Sequence, residues 1–284
     1  MTTSVHTNSS ALIALQNLNN TNSKMSATQN RISTGLKVQG AKDNAATWAI
    51  AQNQRADTSA LDSVKSSLNR ATSIADVSLA AGAQISDIIV ELKAKAVAAA
   101  DPSASEASRK AYDDEFQSLL KSLQSFADNA TFDGENILNG VDAANPLSFL
   151  ASADAQEKID LNRQDLSLAG LGLAADAAAN PAVDAPSLLE TADAEAALAR
   201  IEAALATSNS RLAELGAQAK QIEKHNIFVG KLMDSLEVGV GNLVDADLAK
   251  ESARLQALQV QQQLGAQSLS IANQAPQIIL SLFQ

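Results

Sequence analysis

The stretch LDSVKSSLNRATSIADVSLAAGAQISDIIVELKAKAVAA, residues 61–99, decides the fold. Read every seventh residue from Leu61, it gives Leu61, Leu68, Ala75, Gly82, Ile89 and Ala96. Read the same way from Val64, it gives Val64, Ala71, Ser78, Ile85, Leu92 and Ala99. Two such series offset by three residues lie on one helix face and form a coiled-coil seam. Small residues in its middle let a partner helix come close. The pattern predicts one helix from about Asn44 to Ala100 with Asp43 as its N-cap. Asp101-Pro102 ends it, because proline disfavours helical backbone at the residue before it.

A matching seam lies further on. Ser187 and Glu190 have capping-box spacing, and a second long helix is expected to start there. Its series are Ile201, Ser208, Leu215, Ile222, Val229, Leu236 and Leu243, and Leu205, Leu212, Ala219, Asn226, Met233 and Val240. This seam is expected to be the stronger of the two. Each long helix spans roughly 80 Å at about 1.5 Å per residue, so the two can return antiparallel and zip together.

Between them the period changes. Ser103 and Glu106 read as a capping box for a helix to about Asp128, with the stripe Tyr112, Phe116, Leu119, Leu123 and Phe126. Phe132-Asp-Gly134 and Asn139-Gly140 are turn signals. Leu147–Leu150 and Lys158–Leu161 are short strand candidates, Leu166–Leu173 is a weaker one, and Pro181 and Pro186 mark a linker.

The two ends are helical and almost uncharged. From about Ser10 to Ser33, Ala11, Leu15, Leu18, Asn22, Met25, Gln29, Ile32 and Leu36 share one face, and Gly35 is a natural stop. Nothing acidic precedes Asp43. At the other end Gly239 and Gly241 loosen the second long helix. Asp245 is placed to cap a last helix through Leu255, Leu258, Leu264, Leu269 and Ala272, which Pro276 kinks or restarts. From Leu255 to Gln284 there is no ionisable side chain. Such helices leave weakly charged amphipathic faces in water, and those faces need a partner. The expected fold is mainly α. It is a long antiparallel helical coiled-coil bundle with paired terminal helices and a small β-hairpin-containing middle region.

Composition narrows the function. The 284 residues include no Cys, only 3% aromatics, and a formal charge of −11. Residues 1–42 hold Lys24, Arg31, Lys37 and Lys42 and no acid, so the negative charge belongs to the middle of the chain. An acidic body argues against nucleic acid as a partner, since phosphate binding needs clustered Lys and Arg. No run reaches the eighteen or so apolar residues of a membrane span, and no membrane insertion is expected. The run Ala11–Leu15 is too short for a secretory signal. His6 and His225 lie far apart without Cys, so no metal is expected. Gly170-Leu-Gly172 and Gly239-Val-Gly241 lack the strand–turn–helix setting of a nucleotide loop. Asp113-Asp-Glu115 reads as a solvated helix face, and Trp48 as a packing residue. No catalytic residue and no cofactor is expected, and the chain is not read as an enzyme.

Several motifs together resemble one family. Arg31-Ile-Ser-Thr-Gly-Leu-Lys-Val-Gln-Gly-Ala-Lys-Asp-Asn-Ala-Ala46 closely resembles the N-terminal signature of bacterial flagellins. Thr131-Phe-Asp-Gly134 with Ile137-Leu-Asn-Gly140 is similar to the family's first turn after the N-terminal helices. Asp245-Ala-Asp247, Leu264-Gly265, Ala272-Asn-Gln-Ala-Pro276 and Leu280-Ser-Leu-Phe-Gln284 are similar to its C-terminus. The resemblance implies a short flagellin without large variable outer domains, a structural subunit of the flagellar filament that serves motility. Residues 1–42 with 245–284 would be the polymerisation domain forming an inner tube. Residues 43–244, with a β-containing segment at about 130–175, would form the surrounding layer.

The implied subunit-interface residues are Leu15, Leu18, Ile32, Leu36, Leu258, Leu264, Leu269, Ile279, Leu282 and Phe283. Thr131, Ser148, Ser152 and Ser167 are implied candidates for O-glycosylation. The implied partners are many copies of the chain itself, the flagellar export apparatus and an export chaperone, and hook-junction and cap proteins. The implied location is the extracellular flagellum, reached without a cleaved signal peptide. Bare terminal helices of this kind are marginal in water, so both ends are expected to be disordered in the monomer and to fold on assembly. The competing readings are a hook–filament junction protein and a chemoreceptor-like cytoplasmic helical hairpin. The second would need a helical tip where this chain has strand candidates.

Overall fold

The computed structural model describes residues 8–142, 144–175 and 185–281, with side chains described as far as Gln274. Its elements in chain order are α1 (Ser9–Thr34), α2 (Ala45–Ala99), α3 (Glu106–Asn129), β1 (Thr131–Phe132), β2 (Glu135–Asn136), β3 (Leu147–Leu150), β4 (Lys158–Leu161), α4 (Thr191–Val244) and α5 (Leu248–Ser281). The expected mainly α architecture is present. The chain forms two compact units, residues 1–57 with 234–284, and residues 58–233. Pro181, at the expected linker, lies outside the described residues.

In the unit of residues 58–233 the α2 seam is buried as read. Leu61, Leu68, Ala75, Ile89 and Ala96 are buried, as are Val64, Ala71, Ser78, Ile85, Leu92 and Ala99. Burying each of its large aliphatic side chains contributes roughly 1.5–3 kcal/mol. On α4 the series through Ile201, Ser208, Leu215, Ile222 and Val229 is buried, while Leu205, Leu212, Ala219 and Asn226 are only half-buried. The α4 seam is therefore the less occluded of the two within one chain, contrary to the expectation that it is the stronger.

Register is antiparallel. Asn226 Nδ2 donates to Asn69 Oδ1 at 2.7 Å, and Lys93 Nζ meets Glu202 Oε1 at 2.9 Å. Between them Gly82 faces Leu212 so closely that a Cβ there would overlap Leu212 Cδ2. Residue numbers on α4 fall almost one for one as those on α2 rise. One of these helices, Ala45–Ala99, is also long and apolar enough, by length and composition alone, to cross a membrane, which corrects the expectation that no segment is. Leu68, Ile85, Ile89 and Leu92 of its seam are buried, while Ile50, Val90 and Val97 are exposed.

Helix starts differ from the expected caps for local reasons. Asn44 Oδ1, not Asp43, accepts from Thr47 N, because Asp43 Oδ2 is engaged by Gln39 N. Ser105, not Ser103, caps α3, because the Asp101 carboxylate holds both the N–H and the hydroxyl of Ser103. Asp247, not Asp245, accepts from Lys250 N at the start of α5. Helix α4 begins at Thr191 rather than at Ser187, whose Oγ accepts from Leu189 N within the preceding turn. Helix α5 runs on through Pro276 to Ser281.

The buried face of α3 is Phe116, Leu120, Leu123 and Ala127, so Leu119 and Phe126 stand off the expected stripe and Phe126 is exposed. Beyond α3, β1 and β2 form a tight hairpin whose two turn residues, Asp133 (φ 52°) and Gly134 (φ 80°), are both left-handed. Strands β3 and β4 pair antiparallel with Leu147 opposite Leu161 and Leu150 opposite Lys158. This hairpin is tied to the long helices by Leu150 N donating to Ser67 Oγ (3.2 Å) and by a 2.7 Å bond between His225 Nε2 and Ala151 O. Leu166–Leu173 is not a strand. Asp165 accepts from Ser167 N and Oγ, and the backbone turns through Gly170 and Gly172 (φ 69°) while Leu166 and Leu173 are buried.

In the other unit, Val38, Ala51, Val240 and Val244 form a small core, with Leu36, Trp48 and Leu243 packed against it. Gly35 (φ 73°) ends α1, and its N–H returns to Arg31 O. The chain then zips briefly to the end of α4, with Lys37 N to Val244 O at 2.6 Å and Ala246 N to Gly35 O at 2.8 Å. That zip brings the end of α1 beside the start of α5.

Candidate polymerisation surface

Helices α1 and α5 pack antiparallel, and four contacts fix their register. Asn8 accepts from Ala11 N as the α1 N-cap and donates through Nδ2 to Ala272 O at 2.7 Å. Leu18 lies over Gly265, where a Cβ would come within 3.3 Å of Leu18 Cδ1. Gln262 Nε2 donates to Asn22 Oδ1 at 2.7 Å, and Arg31 Nη1 meets Glu251 Oε1 at 3.4 Å. The seam is thus built from small residues, amides and a single ion pair among the described side chains. Leu258, Thr21 and Thr28 are buried within it.

A helix repeats its faces every 3.6 residues, and α5 shows three distinct ones. Leu258, Gly265, Leu269 and Ala272 lie toward α1. On the far side, Ala253, Ala257, Val260, Leu264 and Ile271 recur at spacings of three, four and seven, and all are exposed. Val260 is 55% exposed, Leu264 59% and Ile271 63%. Ser252, Gln256, Gln259, Gln263 and Ser270 form the third face, exposed and without charge. On α1, Leu12, Ile13 and Leu15 are exposed as well. An open groove of 680 Å³ between the helices is lined by Ile13, Ala14, Asn17, Leu264 and Gly265, with Lys24 at its edge. Soluble proteins seldom leave large apolar patches in water unless they bind something.

The structure divides the sequence-derived interface residues into two sets. Leu258 is buried, and Leu18, Ile32, Leu36 and Leu269 are half-buried inside the unit. Leu15 and Leu264 are exposed. The Ile279 side chain, Leu282 and Phe283 lie outside the described residues. Sequence reasoning missed Leu12, Ile13, Val260 and Ile271; the available signal was the second apolar repeat on α5. Among the glycosylation candidates, Thr131 is exposed in β1, Ser148 is exposed and its hydroxyl donates to Asp160 Oδ1 at 2.6 Å, Ser152 is half-buried beside Asp154, and Ser167 is buried. Among the described residues no three His, Cys, Asp or Glu side chains converge as a metal site.

Beyond Arg254 the described part of α5 carries no charge, with one face packed on α1 and an exposed apolar stripe away from it. The family model of the bacterial flagellin N-terminal helical region matches residues 5–143, and that of the C-terminal helical region matches residues 198–283. The chain belongs to the bacterial flagellins. Flagellin FljK of Caulobacter vibrioides is 47% identical over 281 residues, spanning 99% of this chain and 98% of its own length. A flagellin of Brucella melitensis is 40% identical over 290 residues, spanning 99% of both chains. In fold alone, this flagellin is similar to the structure of a flagellar hook-associated protein from Vibrio parahaemolyticus (TM-score 0.57, 11% identity, 72% of this chain and all of that one). The full-length relatives decide between filament and junction. This flagellin is a structural subunit that self-assembles into the extracellular filament of the bacterial flagellum, and it is not an enzyme.

Proposed function

We propose that residues 1–42 and 245–284 are the polymerisation domain of this flagellin and form the inner tube of the filament. Residues 43–244 form the layer around it. One observation carries this reading: the stripe Val260, Leu264 and Ile271 is exposed along α5 away from Leu258 and Leu269, with Leu264 at the groove between the two helices. A neighbouring copy covers that stripe and the exposed Leu12, Ile13 and Leu15. Leu18, Ile32, Leu36, Leu258 and Leu269 hold the pair together. The absence of charge from Leu255 onward suits dense packing, because burying an unpaired ion costs several kcal/mol. Without neighbours the α1–α5 pair leaves too much apolar surface in water to stay folded, and it orders on assembly.

The absence of Cys suits unfolded export through the flagellar apparatus with the help of a chaperone. Hook-junction and cap proteins then meet the two ends of the growing filament. Thr131, Ser148 and Ser152 are the reachable glycosylation candidates, and Ser167 is reached only before folding. Seeded elongation of purified protein tests the interface. Leu264→Asp is expected to slow growth at least about tenfold, since the carboxylate must be buried unpaired in each contact. Growth of Leu264→Asp at the wild-type rate would refute the assignment.

A further inference from the structure

The chain holds a single Asn-Gly pair, Asn139-Gly140, just after the β1–β2 hairpin. Asn136 and Asn139 there make the same local turn. Asn136 Oδ1 accepts from Leu138 N at 2.7 Å, and Asn139 Oδ1 accepts from Val141 N at 3.1 Å. Such a turn folds the side-chain carbonyl carbon back over the peptide nitrogen of the next residue. The bond to Oδ1 also polarises that carbonyl toward attack.

The surroundings of the two side chains differ. Asn136 is buried, and its Nδ2 donates to Ala127 O at 2.8 Å and Asp128 O at 3.0 Å. The residue after it is Ile137, buried and branched at Cβ, which shields the nitrogen that would have to attack. Asn139 is half-buried, and the residue after it has no side chain. Among the described residues, neither Asn139 Nδ2 nor the Gly140 N–H has a hydrogen-bond partner. Glycine is also required at 140, because its φ of 74° and the Asp165 carboxylate against it leave no room for a Cβ.

We propose that Asn139-Gly140 is a self-modifying site, at which Asn139 turns into aspartate and isoaspartate without an enzyme. Hydroxide from water takes the Gly140 N–H proton, and that nitrogen bonds to Asn139 Cγ. The Cγ–Nδ2 bond breaks, and Nδ2 takes up a proton and leaves as ammonia. Water then opens the resulting succinimide at either carbonyl. The net change is one water consumed, one ammonia released and one carboxylate gained, with nothing oxidised or reduced. Only water is needed, so the reaction continues in the extracellular filament. Its product disturbs a packed layer. Ile137 O accepts from Gln164 N at 2.6 Å, Leu138 O accepts from Leu166 N at 2.8 Å, and the Asp165 carboxylate lies against Gly140. A carboxylate at position 139 adds like charge one residue from that contact. Isoaspartate also lengthens the backbone beside those two bonds.

The test holds the full chain in warm neutral buffer as monomer, as seeded filament and in denaturant, while peptide mass spectra follow each asparagine. In the folded forms Asn139 is expected to convert at least about tenfold faster than Asn136, because glycine leaves its nitrogen open. Conversion in denaturant with none in monomer or filament would overturn the proposal, since the fold would then shield the site. Equal conversion of Asn136 and Asn139 in the folded chain would overturn it too. As an independent arm, Asn139→Asp copies the charge without the longer backbone. It is expected to lower the melting temperature of the monomer by a few degrees. Melting of Asn139→Asp at the wild-type temperature would contradict the disturbance assigned to the product.

Discussion

Arg31 on α1 and Glu251 on α5 form the ion pair that joins the terminal helices, with Arg31 Nη1 3.4 Å from Glu251 Oε1. Glu251 is 11% exposed, and its second oxygen is buried without a partner, whereas Arg31 is 30% exposed. The pair sits where the seam begins, next to the Gly35–Ala246 zip, so it fixes register more than it adds stability.

Removing one partner should therefore cost more than removing both. Glu251→Ala is expected to lower filament stability by about 1–2 kcal/mol per subunit, less than for a fully buried pair because Arg31 reaches water. Arg31→Met/Glu251→Met should recover most of the loss. Filament melting by calorimetry reads the difference, and equal melting of the single and double variants would show that the pair is not coupled.

Gly82 sets how closely α2 approaches α4. A side chain there meets Leu212 Cδ2, so Gly82→Val is expected to destabilise the unit of residues 58–233 by about 1–3 kcal/mol through overpacking. Leu212→Ala added to it should relieve part of the clash. Thermal unfolding of the monomer followed by helix signal checks both.

The turn between α2 and α3 is sensitive to acid. The Ser103 N–H, and then its hydroxyl, bond the Asp101 carboxylate and hold its pKa below the ordinary value. A lowered folded pKa means that the stabilisation is present above the ordinary carboxylate range, near about pH 4, and is lost as pH falls through the folded value. The Ser103 amide resonance should therefore shift only below about pH 4, and Asp101→Asn should abolish the titration. A Ser103 resonance that moves between pH 5 and 8 would contradict the assignment.

Much of this was readable from residues alone, for a physical reason. The heptads of residues 61–99 carry their own periodicity, and burial follows it almost position by position. The caps were misplaced by one to four residues because Asp43, Ser103, Ser187 and Asp245 each sit near a second capable side chain or turn, and only the geometry decides which is used. Leu166–Leu173 alternates like a strand, but Asp165 and the glycines turn it. The outward face of α5 was missed because two apolar faces on one helix blur into a single hydrophobic impression. Gly265 against Leu18 separates them.

On the proposed function, neighbouring copies order the two terminal helices. Amide hydrogen exchange on monomer and on filament measures this directly. The account predicts that residues 9–34 and 248–274 exchange fast in the monomer and become strongly protected in the filament, while the seam of residues 61–99 is protected in both. Equal protection of the terminal helices in the two states would contradict it.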